Sequence, residues 1–362
     1  MRRISRILLL LLAAALVALV GRPLHEPEPP TPARAPAAPP TLAFTGDILL
    51  AGRAARMIAA EGPDAPFAGV ADLLQAADLA VGNLECSLAA AGRPARKEFT
   101  FRAPPETADA LRRAGYDVVG LANNHSADYG PQALLETLDA VRRRGLHPVG
   151  AGEDLDEARR VVLLARGSPP LRIALLAFSN MLPTDFYAGQ RRPGTNPALL
   201  ANIQEDIAAA RRQADLVVAM FHWGDELSST PSESQRYLAR EAVQAGADLV
   251  VGHHPHVLQG FEQRGRALIA YSLGNFLFPS RGAASRTAVL RYQPQPDGSA
   301  RAEVIPCTIE GFRPRLAVGD DRRQIIAQLQ ALSAPLGAEL SDDGVILLPA
   351  PAASVDKAGR QP

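Results

Sequence analysis

The chain of 362 residues is long enough to bury a sizeable core, and with its ends set aside it fits one large domain better than two small ones. Its 38 acidic and 38 basic residues cancel, so no overall field draws it to nucleic acid or to an acidic polymer, and nucleic acid is not expected as a partner. Nearly all the basic residues are arginine, with lysine only at Lys97 and Lys357, and no function is read from that bias.

Arg2, Arg3 and Arg6 lead into an uninterrupted apolar run from Ile7 to Val20, the pattern of a charged n-region and an h-region. These fourteen residues are short against the roughly 20 that a spanning helix needs. Residues 1–22 are therefore expected to export the chain, either as a signal peptide that is removed or as an anchor that stays. No small-x-small site precedes Gly21, and no cysteine follows for lipid attachment. The prolines at 23, 27, 29, 30, 32, 36, 39 and 40 predict an extended spacer over 23–40 that holds the rest away from the membrane.

From Thr41 onward short apolar runs alternate with segments of helical period. Leu42–Thr45, Leu79–Val81, Val118–Leu121, Ile173–Phe178, Leu216–Phe221 and Leu249–Val251 read as strands buried on both faces. Phe67–Ala77, Pro105–Ala114, Pro131–Arg144, Pro197–Gln213 and Ser232–Ala245 read as helices, several with proline in the first turn, and Gly115, Gly145 and Gly246 stop three of them. This is an α/β alternation. After Val257 the pattern turns antiparallel, with Ala267–Ser272, then Ala288–Tyr292 and Arg301–Pro306 flanking the turn signal Pro296-Asp297-Gly298, and a second sheet packed on the first is expected to result. A last helix is predicted over Asp321–Leu332. Residues 41–350 then form one domain, with a frayed tail over 351–362. Cys86 and Cys307 lack metal-binding neighbours at CxxC spacing, and the sequence leaves open whether they pair or remain buried thiols.

The polar residues fall at the ends of the strands. Asp47 follows the first strand, Asn83 and Glu85 the second, Asn123, Asn124 and His125 the third, His222 the strand at Leu216–Phe221, and His253-His254-Pro255-His256 the strand at Leu249–Val251. Ligands of open α/β sheets bind beyond the carboxyl ends of the strands, so these five turns are expected to converge. Pro255 biases His254 toward an extended backbone, in which His254 and His256 present their rings to one side. Imidazoles mixed with carboxylate and amide oxygens suit manganese, iron or zinc better than calcium, as one ion or two.

The series Gly46-Asp47, Asn83-Leu84-Glu85, Ala122-Asn123-Asn124-His125, His222-Trp223-Gly224, Gly252-His253-His254-Pro255-His256 and Ser272-Leu273-Gly274-Asn275-Phe276 resembles the CapA family of bacterial poly-gamma-glutamate capsule synthesis proteins. The resemblance spans residues 41 to about 280. It implies a calcineurin-like metallophosphatase fold, a two-sheet sandwich with helices on both outer faces, and an envelope role in making or exporting an anionic poly-glutamate capsule. It further implies metal ligation by Asp47, Glu85, Asn124, His222, His254 and His256, with His125 assisting the leaving group. Two departures from the wider metallophosphatase pattern bear on the ion count: Leu49 stands where a histidine is expected, and Asn83 and Glu85 alone represent the second motif.

Asp128 and Glu226 lie beside motifs and are expected to orient a histidine. Asn83, Asn123, Trp223, His253 and Asn275 are candidate substrate contacts, with Trp223 as a pocket wall. Two functions follow. In one, the site is a metal-dependent hydrolase or transferase acting on a phosphate ester or anhydride, or on an amide of an anionic polymer. In the other, it is a non-catalytic module that binds the polymer or an ion and serves a membrane capsule synthase.

Overall fold

A computed structural model describes residues 39–351. The expected leader, most of the proline-rich spacer and nearly all of the tail lie outside the described residues, and no helix within those residues is long and apolar enough to cross a membrane.

The first sheet is built on Leu42–Ile48 (β1), Leu79–Leu84 (β2), Val118–Gly120 (β3) and His147–Val149 (β4), all parallel. Val162–Arg166 (β5), Leu171–Ser179 (β6), Leu216–His222 (β7), Leu249–His253 (β8), Phe261–Arg264 (β9) and Ala267–Ala270 (β10) form the second, in the order β9-β10-β8-β7-β6-β5. Asn275–Leu277 (β11), Arg286–Pro294 (β12), Ala300–Glu310 (β13), Arg313–Leu316 (β14) and Val345–Leu348 (β15) return to the first sheet. Its order is β14-β13-β12-β1-β2-β3-β4, with β11 beside β1 and β15 beside β13.

Of the strands expected to build the second sheet, Ala267–Ala270 (β10) does join it, but the hairpin of β12 and β13 does not. Strand β12 pairs with β1, Leu42 opposite Tyr292, and extends the first sheet, while the second sheet grows from the later half of the α/β alternation. Strand β10 is parallel to β8 and antiparallel only to β9.

Eight α-helices accompany the sheets among the described residues: Arg53–Glu61 (α1), Ala71–Gln75 (α2), Ala108–Ala114 (α3), Pro131–Arg143 (α4), Leu155–Ala158 (α5), Leu200–Arg211 (α6), Glu233–Ala245 (α7) and Gly319–Ser333 (α8). Helices α1 and α5 carry no signal that the sequence reading picked up. The expected helix Phe67–Ala77 is broken near Gly69, where a side chain would meet the carbonyl of Pro314 at 2.8 Å. Elsewhere local signals hold. Ser232 caps α7 in a reciprocal capping box with Gln235, and Gly246, at φ 118°, closes it in the left-handed conformation that glycine adopts without steric cost.

Three apolar layers separate these elements. Leu42, Phe44, Leu79, Val81, Leu175, Val218, Met220, Leu249 and Val251 fill the space between the sheets. Ala43, Ala80 and Val119 turn outward to α1–α4 on one side, and Leu176, Phe178, Val217, Ala219 and Phe221 to α6 and α7 on the other. Every residue of β1, β2, β3, β7 and β8 is therefore covered, which is why these strands read as apolar runs. The result is the four-layer α-β-β-α sandwich. Cys86 and Cys307 are unpaired thiols buried in the first outer layer.

Candidate metal centre

Alternation along the strands decides which side chains enter the inter-sheet space. In β2, Leu79 and Val81 face inward, so Asn83 does too; in β7, Leu216, Val218 and Met220 lead to His222; in β8, Leu249 and Val251 lead to His253. Strand β1 needs a correction to its phase. Simple alternation from Leu42 and Phe44 would turn Asp47 out to the helices, but the register against β2 slips between Phe44 and Asp47. Two residues, Thr45 and Gly46, stand opposite Gly82 alone, and beyond this bulge Ile48 faces the helices and Asp47 the second sheet. Gly46 is required there, since a Cβ would lie 1.9 Å from the carbonyl oxygen of Gly274.

The five turns converge. Nε2 of His222 lies 2.8 Å from Oδ1 of Asn124, 3.2 Å from Nδ1 of His254 and 3.5 Å from Oε1 of Glu85. Nε2 of His256 lies 3.8 Å from the same Glu85 oxygen, and its Nδ1 sits 2.8 Å from Oδ1 of Asn275 and 3.3 Å from Oδ2 of Asp47. Asp47 is held in turn by the Asn83 amide, which donates to Oδ1 at 2.8 Å, and by the His254 backbone N–H at 3.2 Å from Oδ2. Asn123 donates to Asn83 Oδ1 and to the Leu84 carbonyl, tying β2 to the loop after β3.

Glu85 is the anomaly of the cluster. Its carboxylate is wholly buried, and neither oxygen has a hydrogen-bond partner. Burial, and then the charge of Asp47, hold its pKa well above the ordinary carboxylate value. The imidazoles divide. Burial first, then the neighbouring histidines, keeps His222 well below its ordinary value, and burial followed by His256 takes His254 down to about 3. At His256 burial is outweighed by Glu85 and Asp47, and the pKa rises to about 10.

The backbone that brings His254 and His256 together is not the extended one inferred from Pro255. Their φ angles are 96° and 59°, a region that non-glycine residues rarely occupy and that costs about 1–3 kcal/mol each. The rings nonetheless meet, with centroids 5.7 Å apart.

His125 stands at the edge of this cluster. Its Nδ1 lies 2.7 Å from Oδ2 of Asp128, and its Nε2 4.0 Å from Oε1 of Glu85. The carboxylate assigns the proton to Nδ1 and leaves Nε2 to face the cleft. Asp128 is itself gripped from behind by Lys97, whose Nζ is 2.9 Å from Oδ1 and also donates to the Asn124 carbonyl at 2.6 Å. The ring of Phe101 lies 4.5 Å from that of His125, and Phe278 4.8 Å from His256. Sequence reasoning missed Lys97 and both aromatics. They lie outside the strand-end motifs, and the rarity of lysine was their one legible trace.

Two candidate substrate contacts lie elsewhere. Because His222 points between the sheets, its neighbour Trp223 points the other way. Trp223 is fully buried in the outer layer, stacked on Phe221 at 4.5 Å and donating to the Tyr271 carbonyl, so it walls no cleft. His253 is buried with Nε2 3.1 Å from the Thr45 carbonyl, where it ties the second sheet to the bulge of the first. Asn83, Asn123 and Asn275 all bond to members of the cluster, and exposed Glu226 comes near enough to His254 and His256 to offer a further oxygen.

This donor set fits a divalent cation. Three groups of carboxylate and imidazole atoms, Glu85-His222-His254, Asp47-Glu85-His256 and Glu226-His254-His256, each lie within 4.8 Å of one another. Donors at about 2.0–2.2 Å from a shared ion sit roughly 3.0–3.5 Å apart, close to the spacings around His222. A buried carboxylate without a hydrogen bond, next to two neutral imidazoles, is what such an ion would satisfy.

The profile of the bacterial capsule synthesis protein PGA_cap family matches residues 41–280. The chain is 33% identical over 299 residues to the capsule biosynthesis protein CapA of Bacillus anthracis, covering 80% of this chain and 72% of that one. It is 34% identical over 284 residues to the PGA biosynthesis protein CapA of Bacillus subtilis, covering 78% and 74%. A probable polyglutamine synthesis accessory protein of Mycobacterium tuberculosis is 32% identical over 212 residues, 55% of each chain. With the matched residues containing every strand end that carries a donor, the chain belongs to the bacterial capsule synthesis protein PGA_cap family.

Proposed function

We propose that this chain is an envelope protein of poly-glutamate capsule synthesis whose inter-sheet cleft performs metal-dependent hydrolase or transferase chemistry on a phosphate ester or anhydride. The observation that carries the reading is Glu85, a buried carboxylate with no hydrogen-bond partner, set among His222, His254, His256 and Asp47. Asp47, Glu85, Asn124, His222, His254 and His256 would hold one or two ions of manganese, iron or zinc. The chemistry a divalent ion supplies in such a set is Lewis acidity toward a phosphoryl oxygen and acidification of water.

The chain's own residues do the rest. Asn275 and Asp47 fix the His256 ring through Nδ1, and Asn83 fixes Asp47. Asp128 retains the Nδ1 proton of His125 and favours its imidazolium against burial, so a second proton, carried on Nε2, is the one passed to the departing oxygen, leaving the neutral ring protonated at Nδ1. Phe101 and Phe278 keep water from the outer faces of the two rings.

A second reading rests on Leu49, which occupies the place of an expected imidazole. It makes the site a single-ion, non-catalytic module that binds an anionic polymer and supports a membrane capsule synthase. Metal analysis and turnover of a generic phosphodiester separate the two. Glu85→Gln is expected to lose bound metal. His125→Ala is expected to keep it and to lose about 10²–10⁴-fold in turnover. Stoichiometric metal with no His125-dependent turnover on any phosphoester tried would leave the non-catalytic reading.

A further inference from the structure

A cavity of about 770 Å³ opens beside the metal centre and belongs to none of the strand-end motifs. Three of its walls connect it to that centre. Leu49 is two residues beyond Asp47, Phe101 covers the His125 ring, and Ser280 accepts a 2.8 Å hydrogen bond from the Asn275 amide whose oxygen meets His256. The cavity also receives Arg53, the first residue of α1, and Arg281, which follows Ser280.

Neither guanidinium has an ion-pair or hydrogen-bond partner among the described residues, and none of the described residues lining the cavity is Asp or Glu. Arginines elsewhere on the surface are commonly matched, as Arg113 is by Asp64 and Arg313 by Glu61. In a chain whose total charge is balanced, two uncompensated guanidinium groups at one cavity leave a local positive field and ten N–H donors suited to oxyanions.

We propose that this cavity is an oxyanion subsite, in which Arg53 and Arg281 hold a carboxylate or phosphate of a substrate whose reacting group lies at the metal centre. The subsite rests on the proposed role of that centre for its position in the reaction, but not for its ability to bind. Leu49 and Phe101 supply an apolar wall along which the connecting part of the substrate lies. The substrate is therefore one with a second anionic group set apart from the bond that reacts.

Calorimetric titration of the full chain, with and without added Mn²⁺, tests this with two probes: a pentaglutamate peptide and inorganic phosphate, with a pentaglutamine peptide as the neutral control. Arg53→Gln and Arg281→Gln are each expected to weaken one probe by about tenfold, and added salt to weaken it further. The probe that responds identifies a carboxylate or a phosphate source. The proposal is overturned if neither anion binds the parent chain, or if the double variant binds both as the parent does. Metal content measured on the same samples is a separate outcome. Arginine-dependent binding without bound metal keeps the subsite and removes the metal centre; stoichiometric metal without arginine dependence does the reverse.

Discussion

Asp128 has no solvent exposure; its Oδ2 meets Nδ1 of His125 and accepts from the Phe101 backbone N–H at 2.6 Å, and its Oδ1 meets Nζ of Lys97. Removing Lys97 would leave Oδ1 of this buried carboxylate without a partner, so Lys97→Met is expected to cost about 1–3 kcal/mol of stability. With the Asn124 carbonyl also released, the Asn124-His125 turn loses its anchor, and turnover should fall about tenfold while bound metal stays near the parent level. Chemical denaturation, metal analysis and steady-state kinetics read the three quantities. Full activity in a fully loaded variant would reduce Lys97 to a surface ion pair. The motif residues were legible because each ends an apolar run. Lys97 was not, because it sits in a long loop and its partner is defined only by the fold. Trp223 was misread for a related reason: adjacency to His222 in a strand places it on the opposite face.

The element that aims the site is the bulge in β1. Its alternation would send Asp47 toward the helices, and only the extra residue at Thr45-Gly46 turns it to His254 and His256. Gly46→Ala forces Cβ against the carbonyl of Gly274, which also accepts the Asp47 N–H at 3.0 Å, so the β1–β11 contact must open. The variant is expected to lose about 1–3 kcal/mol and to bind metal more weakly, as measured by urea titration and metal content. Unchanged stability and metal content would mean that the bulge does not set the position of Asp47. The central strands and most helices were visible in the sequence because both faces of those strands are covered and several helices stop at glycine, whereas the half-exposed edge strands Val162–Arg166, Arg313–Leu316 and Val345–Leu348 were not. Sheet membership was not, since β12 looks the same whether it borders β1 or begins a sheet of its own. The left-handed backbone at His254 and His256 was also hidden, because local preference before a proline points the other way and tertiary packing overrides it.

At the scale of the molecule, Asp47, Glu85 and Asn124 come from the first sheet, and His222, His254 and His256 from the second. An ion they share joins the two halves of the sandwich, and binding to the folded form alone must then stabilise the whole. At a free concentration about 100 times Kd the gain is about 2.7 kcal/mol, which for a domain of this size is a rise in Tm of about 5 °C. Differential scanning calorimetry with Mn²⁺ and then with excess chelator should show that rise and its reversal. Asp47→Ala acts on one sheet and His222→Ala on the other, yet each should reduce the same increment, because each removes one donor from the ion that the two sheets share. Ser232→Ala, which removes only the cap of α7, should lower both melts equally and preserve the increment. If His222→Ala and a His254→Ala/His256→Ala double variant both keep the full metal-dependent rise, the ion is bound by the first sheet alone and the sandwich is closed by its apolar core without help from the site.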